Sequence, residues 1–343
     1  MPRPLRFLKV LSILSVPFGL LLFSAPQAKA ITINVTYDSS VSSAPVGFTN
    51  AINYVAQTFD SYFTNPIDVN INVGWGEVAG QSLSSNAVGE SISNYYNLTN
   101  YYNNVASDLY ATDSASTNST TAQTAAQNIP ASSPIKSTFY VSTANAKAIG
   151  LVANNTTTDG SVGFSSAYNY SFNTSGSTPS NTYDFVGLAE HEISEVLGRT
   201  GMLPGSSGTY IQTPLDLFRY TAQGALDTSS PGSANYFSVN GGTTSLNSYN
   251  TVSGADYGDW AGSTANAFNA FIGAPGTTEP FTTSDLALLN SIGWQTTNAT
   301  YTTVASLSST SNGVPAPFST MLLALGFLGF GLYRRKTKPM VTC

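Results

Sequence analysis

Residues 183–199 read Tyr183-Asp184-Phe185-Val186-Gly187-Leu188-Ala189-Glu190-His191-Glu192-Ile193-Ser194-Glu195-Val196-Leu197-Gly198-Arg199. Their spacing predicts a helix over 185–199. At about 100° per residue, Val186, Ala189, Ile193, Val196 and Leu197 fall on one face, which must be covered. His191 and Glu195 stand on the opposite face, one turn apart and about 40° from each other. Glu192 projects between that pair and the edge of the core. Glu195 and Arg199 are also four apart, a spacing that suits an ordinary helix ion pair.

The segment resembles the zincin metalloprotease helix, His-Glu-x-x-His, in which residues at i and i+4 hold one metal ion and the Glu after the first His acts on the metal-bound water. That resemblance implies His191 and Glu195 as metal ligands and Glu192 as the catalytic general base. The metal implied is Zn, with Mn or another divalent ion as an option for so carboxylate-rich a ligand set. The departure is at the second ligand, which is Glu195 and not His. His191 is the only histidine of the chain, so no all-His site can form. A second carboxylate also lowers the effective charge of the metal and weakens its acidification of water.

Gly198 stands where the longer metzincin pattern carries its glycine, but the position of the third ligand is occupied by Gly201. The nearest strong third-ligand candidate is Asp216, in Pro214-Leu215-Asp216-Leu217-Phe218-Arg219-Tyr220, whose other reading is a turn cap or a salt bridge with Arg199 or Arg219. Asp256 and Asp259, in ADYGDW, are later candidates.

The chain ends point to the membrane. Arg3, Arg6 and Lys9 precede an apolar run and then Gln27-Ala28-Lys29-Ala30. That is the layout of a signal peptide over residues 1–30. At the other end, Val314-Pro315-Ala316-Pro317 precedes an apolar, Gly-containing segment, Phe318 to Tyr333, and then Arg334-Arg335-Lys336. This tripartite tail resembles bacterial PEP-CTERM sorting signals, with Ala316 in place of the usual Glu. The resemblance implies a transmembrane helix with a basic cytoplasmic tail, transient membrane anchoring, an exosortase-type sorting enzyme as partner, and an exported, extracellular or cell-surface location. The expected organisation is therefore signal peptide 1–30, catalytic domain 31–300, linker 301–313 and sorting segment 314–343.

Of the 12 basic residues, only Lys136, Lys147, Arg199 and Arg219 lie in residues 31–312, which hold all 18 acidic ones, so that stretch carries a net charge of −14. Such a surface argues against nucleic acid as a partner. The single cysteine is Cys343, so the domain has no disulfide and depends on its own core.

Within that domain, 31–37 is β-like, 45–64 carries Phe48, Ile52, Val55, Phe59 and Phe63 at helical spacing, and 67–73 alternates strictly as a half-buried strand does. Residues 91–110 hold a Tyr/Asn-rich helical candidate. The Ala/Ser/Thr/Asn-rich stretch 111–134 reads as a poorly packed surface loop with a helical piece. Residues 138–152 read as strand and short helix, and 160–172 as a strand or hairpin.

Taken together, residues 31 to 294 resemble a bacterial family of PEP-CTERM-tailed zincin-like metalloproteases, through VGWGEV (73–78), AKAIGLVA (146–153), DGSVGFS (159–165), AEHEISEVLGR (189–199), PLDLFRY (214–220), YFSVNGG (236–242) and DLALLNSIGW (285–294). The expectation is an α+β, zincin/metzincin-like fold with a mixed twisted sheet packed on the active-site helix. The activity implied is zinc-dependent hydrolysis of peptide bonds in a protein or peptide substrate. The alternative is a non-catalytic surface, matrix or adhesin protein on a zincin-derived fold, which the Ser/Thr/Asn-rich composition and the sorting tail suit equally well.

Overall fold

Strict alternation makes Asp68–Trp75 a strand, with Val69, Ile71 and Val73 buried on one face. It lies parallel to Thr32–Tyr37 on one side and to Gly160–Phe164 on the other. The computed structural model describes residues 30–99, 102–132, 138–201, 211–228, 234–252, 255–262, 264–296, 332–333 and 340–341. The long strand Gly89–Thr99 runs antiparallel to both Gly160–Phe164 and Thr138–Ser142, and Ile211–Gln212 pairs parallel with Thr138–Phe139. With a further short strand, Met340–Val341, against Asn94–Tyr95, these form a seven-stranded mixed sheet. A second, four-stranded antiparallel sheet is built from Arg219–Ala222, Ala225–Leu226, Tyr236–Phe237 and Asn247–Ser248.

Among the described residues, six α-helices accompany the sheets: α1 Phe48–Tyr62, α2 Tyr102–Ala115, α3 Thr120–Gln127, α4 Thr143–Ala148, α5 Phe185–Val196 and α6 Thr283–Ser291. α1 buries Phe48, Ile52, Val55 and Phe59 at the predicted spacing. Phe48 meets Trp75, Phe164 and Phe185 at ring-centroid distances of 5.1, 5.8 and 5.2 Å, so aromatic contacts knit α1, the sheet and α5 into one core. The fold is a mixed α+β arrangement of sheet and helices; no metzincin-specific topology is seen among the described residues.

Three local expectations change. Residues 91–99 are a strand and not the start of a helix. Ser91, Ser93 and Tyr95 alternate with Ile92, Asn94 and Tyr96, and Tyr95 pairs with Ser142 across the ladder. Residues 111–132 carry the expected helical piece but are not loosely packed: α2 continues to Ala115, and α3 buries Thr121, Ala122, Ala125 and Ala126. Small side chains let that helix approach closely, which composition alone does not reveal. The stretch 160–172 is no hairpin either, since Tyr170–Ser171 pairs in parallel with Tyr183–Asp184.

The transmembrane expectation for the tail is corrected. Among the described residues no helix is long and apolar enough to cross a membrane. Leu332–Tyr333, at the end of the expected spanning segment, is a strand paired antiparallel with Phe271–Ile272. Met340–Val341, beyond the basic cluster, pairs with the central strand of the main sheet. Backbone hydrogen bonding to the domain on both sides of that cluster is incompatible with a bilayer between them. The membrane as a partner, the transient anchoring and the cell-surface location that depended on it are corrected with it, and nothing among the described residues supports the sorting enzyme as a partner. Residues 1–29, 297–331 and 334–339, which include most of the expected signal peptide, linker and sorting segment, lie outside the described residues.

Candidate metal centre

α5 begins where the sequence places it. Asp184 is the N-cap, its side chain accepting from Val186 N at 3.1 Å. The helix closes at Leu197, followed by Gly198 with φ 107°. A Cβ on Gly198 would come within 2.8 Å of Asn145 Cβ, so both the positive φ and the close approach of α4 require glycine there.

The helix is buried nearly all round, which the amphipathic reading did not anticipate. The apolar side packs on the core. The side carrying His191 and Glu195 is covered by the sheet strand Gly89–Thr99 and by the 255–270 region. Those two residues are each 1 % exposed, and Asp259 is 0 % exposed.

One donor atom from each of His191, Glu195 and Asp259 lies within 4.8 Å of the other two. His191 Nε2 is 3.3 Å from Glu195 Oε1 and 3.5 Å from Asp259 Oδ1. The other ring nitrogen, Nδ1, is 2.8 Å from the carbonyl of Ala267. A carbonyl only accepts, so Nδ1 carries the proton. Nε2 is thereby turned toward the two carboxylates, the orientation a metal-ligating histidine needs.

Asp259 is held by its neighbours in a firmly tied segment. Asn250 N donates to the Asp259 carbonyl at 2.8 Å, Trp260 N to the Phe268 carbonyl at 2.9 Å, and Trp260 Nε1 to Asp285 Oδ1 at 2.6 Å. The carbonyl of Ala267 is placed by the same segment, through Ala267 N donating to Pro280 O at 3.0 Å. Glu195 is fixed from the sheet. Ser91 Oγ donates to its Oε2 at 2.7 Å, and Ser93 Oγ to its main-chain carbonyl at 3.1 Å.

The donor set fits a divalent ion on two grounds. Ligand atoms at about 2.0–2.1 Å from a tetrahedral zinc stand about 3.3–3.4 Å apart, close to the 3.3 and 3.5 Å found around Nε2. The charge balance points the same way. The buried Glu195 carboxyl feels the Glu192, Asp256 and Asp259 carboxylates, opposed by the Arg199 guanidinium. Burial, followed by the Glu192 and Asp256 carboxylates, pushes the Glu195 carboxyl well above the usual range, while Arg199 pulls the other way. A divalent ion placed among these acidic groups would favour the ionised form of Glu195 that burial and its acidic neighbours oppose.

Glu192, the expected general base, lies beside this group and is 1 % exposed. It packs on Gly89: a Cβ there would meet Glu192 Oε1 at 2.6 Å and Cγ at 3.0 Å. Asp216 is not brought into the cluster. Its Oδ2 accepts from Thr213 N at 2.8 Å and from Thr213 Oγ1 at 3.1 Å, the capping box of the 3-10 helix Pro214–Phe218. Its Oδ1 faces Arg219 Nε at 3.7 Å. Asp259, one of two later candidates, takes the third position. The Ala267 carbonyl, Ser91, Ser93 and Gly89 carry no motif and were not singled out by the sequence.

No protein-family model, no curated protein and no solved structure matches the chain. What the structure carries is therefore coarser than a family: a buried His/Glu/Asp cluster capable of coordinating a metal ion, in a mixed α+β fold.

Proposed function

We propose that the chain is a metal-dependent hydrolase of the zincin kind, with His191, Glu195 and Asp259 holding one divalent ion, zinc first, and Glu192 as general base in the hydrolysis of peptide bonds. The observation that carries the reading is the orientation of His191: Nδ1 is committed to the Ala267 carbonyl and Nε2 faces two carboxylate oxygens at 3.3 and 3.5 Å. When bound, the ion would supply a Lewis acid and an acidified water. The residues of the chain do the rest. Ser91 and Ser93 hold Glu195 against the sheet. Glu192, one residue after the imidazole and pressed on Gly89, would take a proton and pass it to a leaving amine. Replacement by Glu192→Gln should abolish peptide hydrolysis while leaving bound metal unchanged; undiminished hydrolysis would remove Glu192 from the chemistry.

A second reading is favoured by a specific observation. The cluster is 0–1 % exposed, and Arg199 reaches both Glu195 and Asp259. A non-catalytic protein on a zincin-derived fold would use the same residues as a buried ion network that ties α5 to the 255–270 segment. Metal bound with no hydrolysis of any denatured protein offered would favour this reading.

A further inference from the structure

Arg199 spends its guanidinium inside the candidate site. Its Nε donates to Ser194 Oγ at 2.7 Å, its Nη2 to the His191 carbonyl at 3.2 Å and to Glu195 Oε1 at 3.3 Å, and its Nη1 to Asp259 Oδ1. Its Cζ lies 4.4 Å from the Phe268 ring centroid, so one face of the cation rests on an aromatic ring. The two oxygens it holds, Glu195 Oε1 and Asp259 Oδ1, are the same two that approach His191 Nε2. A divalent ion and the guanidinium would therefore draw on one pair of oxygens. A guanidinium keeps its positive charge in a protein interior, so this is a permanent cation.

We propose that Arg199 is a built-in counter-cation that stands in for the divalent ion: it holds the Glu195–Asp259 pair together when no metal is bound, and it competes with metal for the same oxygens. The proposal rests on the metal-site reading above. Two buried carboxylates left with no cation repel each other and lose hydration without recompense. With Arg199 the metal-free chain avoids that state, so it folds without metal. The same positive charge opposes an incoming divalent ion, so the site binds metal more weakly than its donor set alone would. Arg199 is in these terms a positioning residue and not a catalytic one.

The test uses the full chain as wild type, Arg199→Met and Arg199→Lys, with zinc alone as the probe. Melting temperature is measured in chelator and in saturating zinc, and zinc affinity by competition with a chromophoric chelator. In chelator Arg199→Met should melt well below wild type. Zinc should restore most of that loss, and its dissociation constant should fall by roughly tenfold or more, because both the competing charge and the apo-state stability have gone. Arg199→Lys, which keeps the charge, should bind zinc about as weakly as wild type. An Arg199→Met chain that zinc does not rescue, or that binds zinc no more tightly than wild type, would overturn the proposal and make Arg199 a plain structural anchor. Zinc bound by Arg199→Lys as tightly as by Arg199→Met would overturn it also. If folded wild type and Arg199→Met both take up no zinc, the metal-site reading itself fails, and this inference falls with it.

Discussion

Gly89→Ala is the substitution that most cleanly separates the expected base from the expected ligands. The added Cβ would sit 2.6 Å from Glu192 Oε1, 3.0 Å from its Cγ and 3.1 Å from its Cδ. Ordinary contact begins at about 3.4 Å, so the carboxylate must retreat by about 0.8 Å. The carboxylate has little room to swing away, since Glu192 is buried and three of its atoms are crowded at once. Overpacking of this kind costs about 1–3 kcal/mol of stability. A displacement near 1 Å at a reacting group costs about 10²-fold in rate. No contact of His191 Nε2, Glu195 Oε1 or Asp259 Oδ1 is touched, so metal content should be unchanged. Hydrolysis of a denatured protein by purified Gly89→Ala, with metal measured on the same sample, checks this. Full activity with full metal would refute the placement of Glu192 against Gly89 as functional, and loss of metal would show that the strand and the ligands are not separable.

Two further outcomes follow from the scaffold. Lys147 Nζ is 2.6 Å from both Asp159 Oδ2 and the Asp68 carbonyl, fully buried, and ties α4 to the strand Asp68–Trp75; Lys147→Met should cost about 3–5 kcal/mol in urea unfolding by leaving Asp159 uncompensated, and a cost under about 1 kcal/mol would contradict this. Burial pushes the Asp60 carboxyl up to about 6, although it accepts from Ile33 N. A raised carboxyl pKa means the folded chain holds the proton to higher pH than the unfolded one. Its stabilising contribution is therefore complete below the unfolded value of about 4 and disappears as pH rises through about 6. Melting temperatures across that window should fall with a shallower slope in Asp60→Asn than in wild type, and equal slopes would refute the assignment.

The sequence made parts of this legible for physical reasons. Strict alternation marked Asp68–Trp75, and 3.6-residue periodicity marked α1 and α5. Residues 91–99 were misread because Tyr95, Tyr96 and Leu98 also recur at helical spacing, and because Ser91 and Ser93 are buried for their hydroxyls, which bond to Glu195, and not for apolar surface. In sequence, the His191/Glu195 side of α5 is simply the face opposite the apolar one, and it is the tertiary cover of the strand Gly89–Thr99 and of the region around Asp259 that buries it. For the third ligand, nearness in sequence favoured Asp216. Its setting, Thr213-Pro214-Leu215-Asp216, is nonetheless the spacing of a capping box, a local use for that carboxylate. The Glu195–Arg199 pair was visible as i,i+4, but its burial and its extension to Asp259, 60 residues on, were not.

The central claim is that His191, Glu195 and Asp259 form one cation site, and the direct measurement is metal content. Full-length chain is purified, loaded with zinc, desalted and analysed by elemental mass spectrometry beside Asp259→Asn and Glu195→Gln, with folding checked by circular dichroism. The account predicts about one zinc per wild-type chain and a large loss from both variants. A folded wild type that retains no metal, or an Asp259→Asn chain that keeps all of it, would contradict the account.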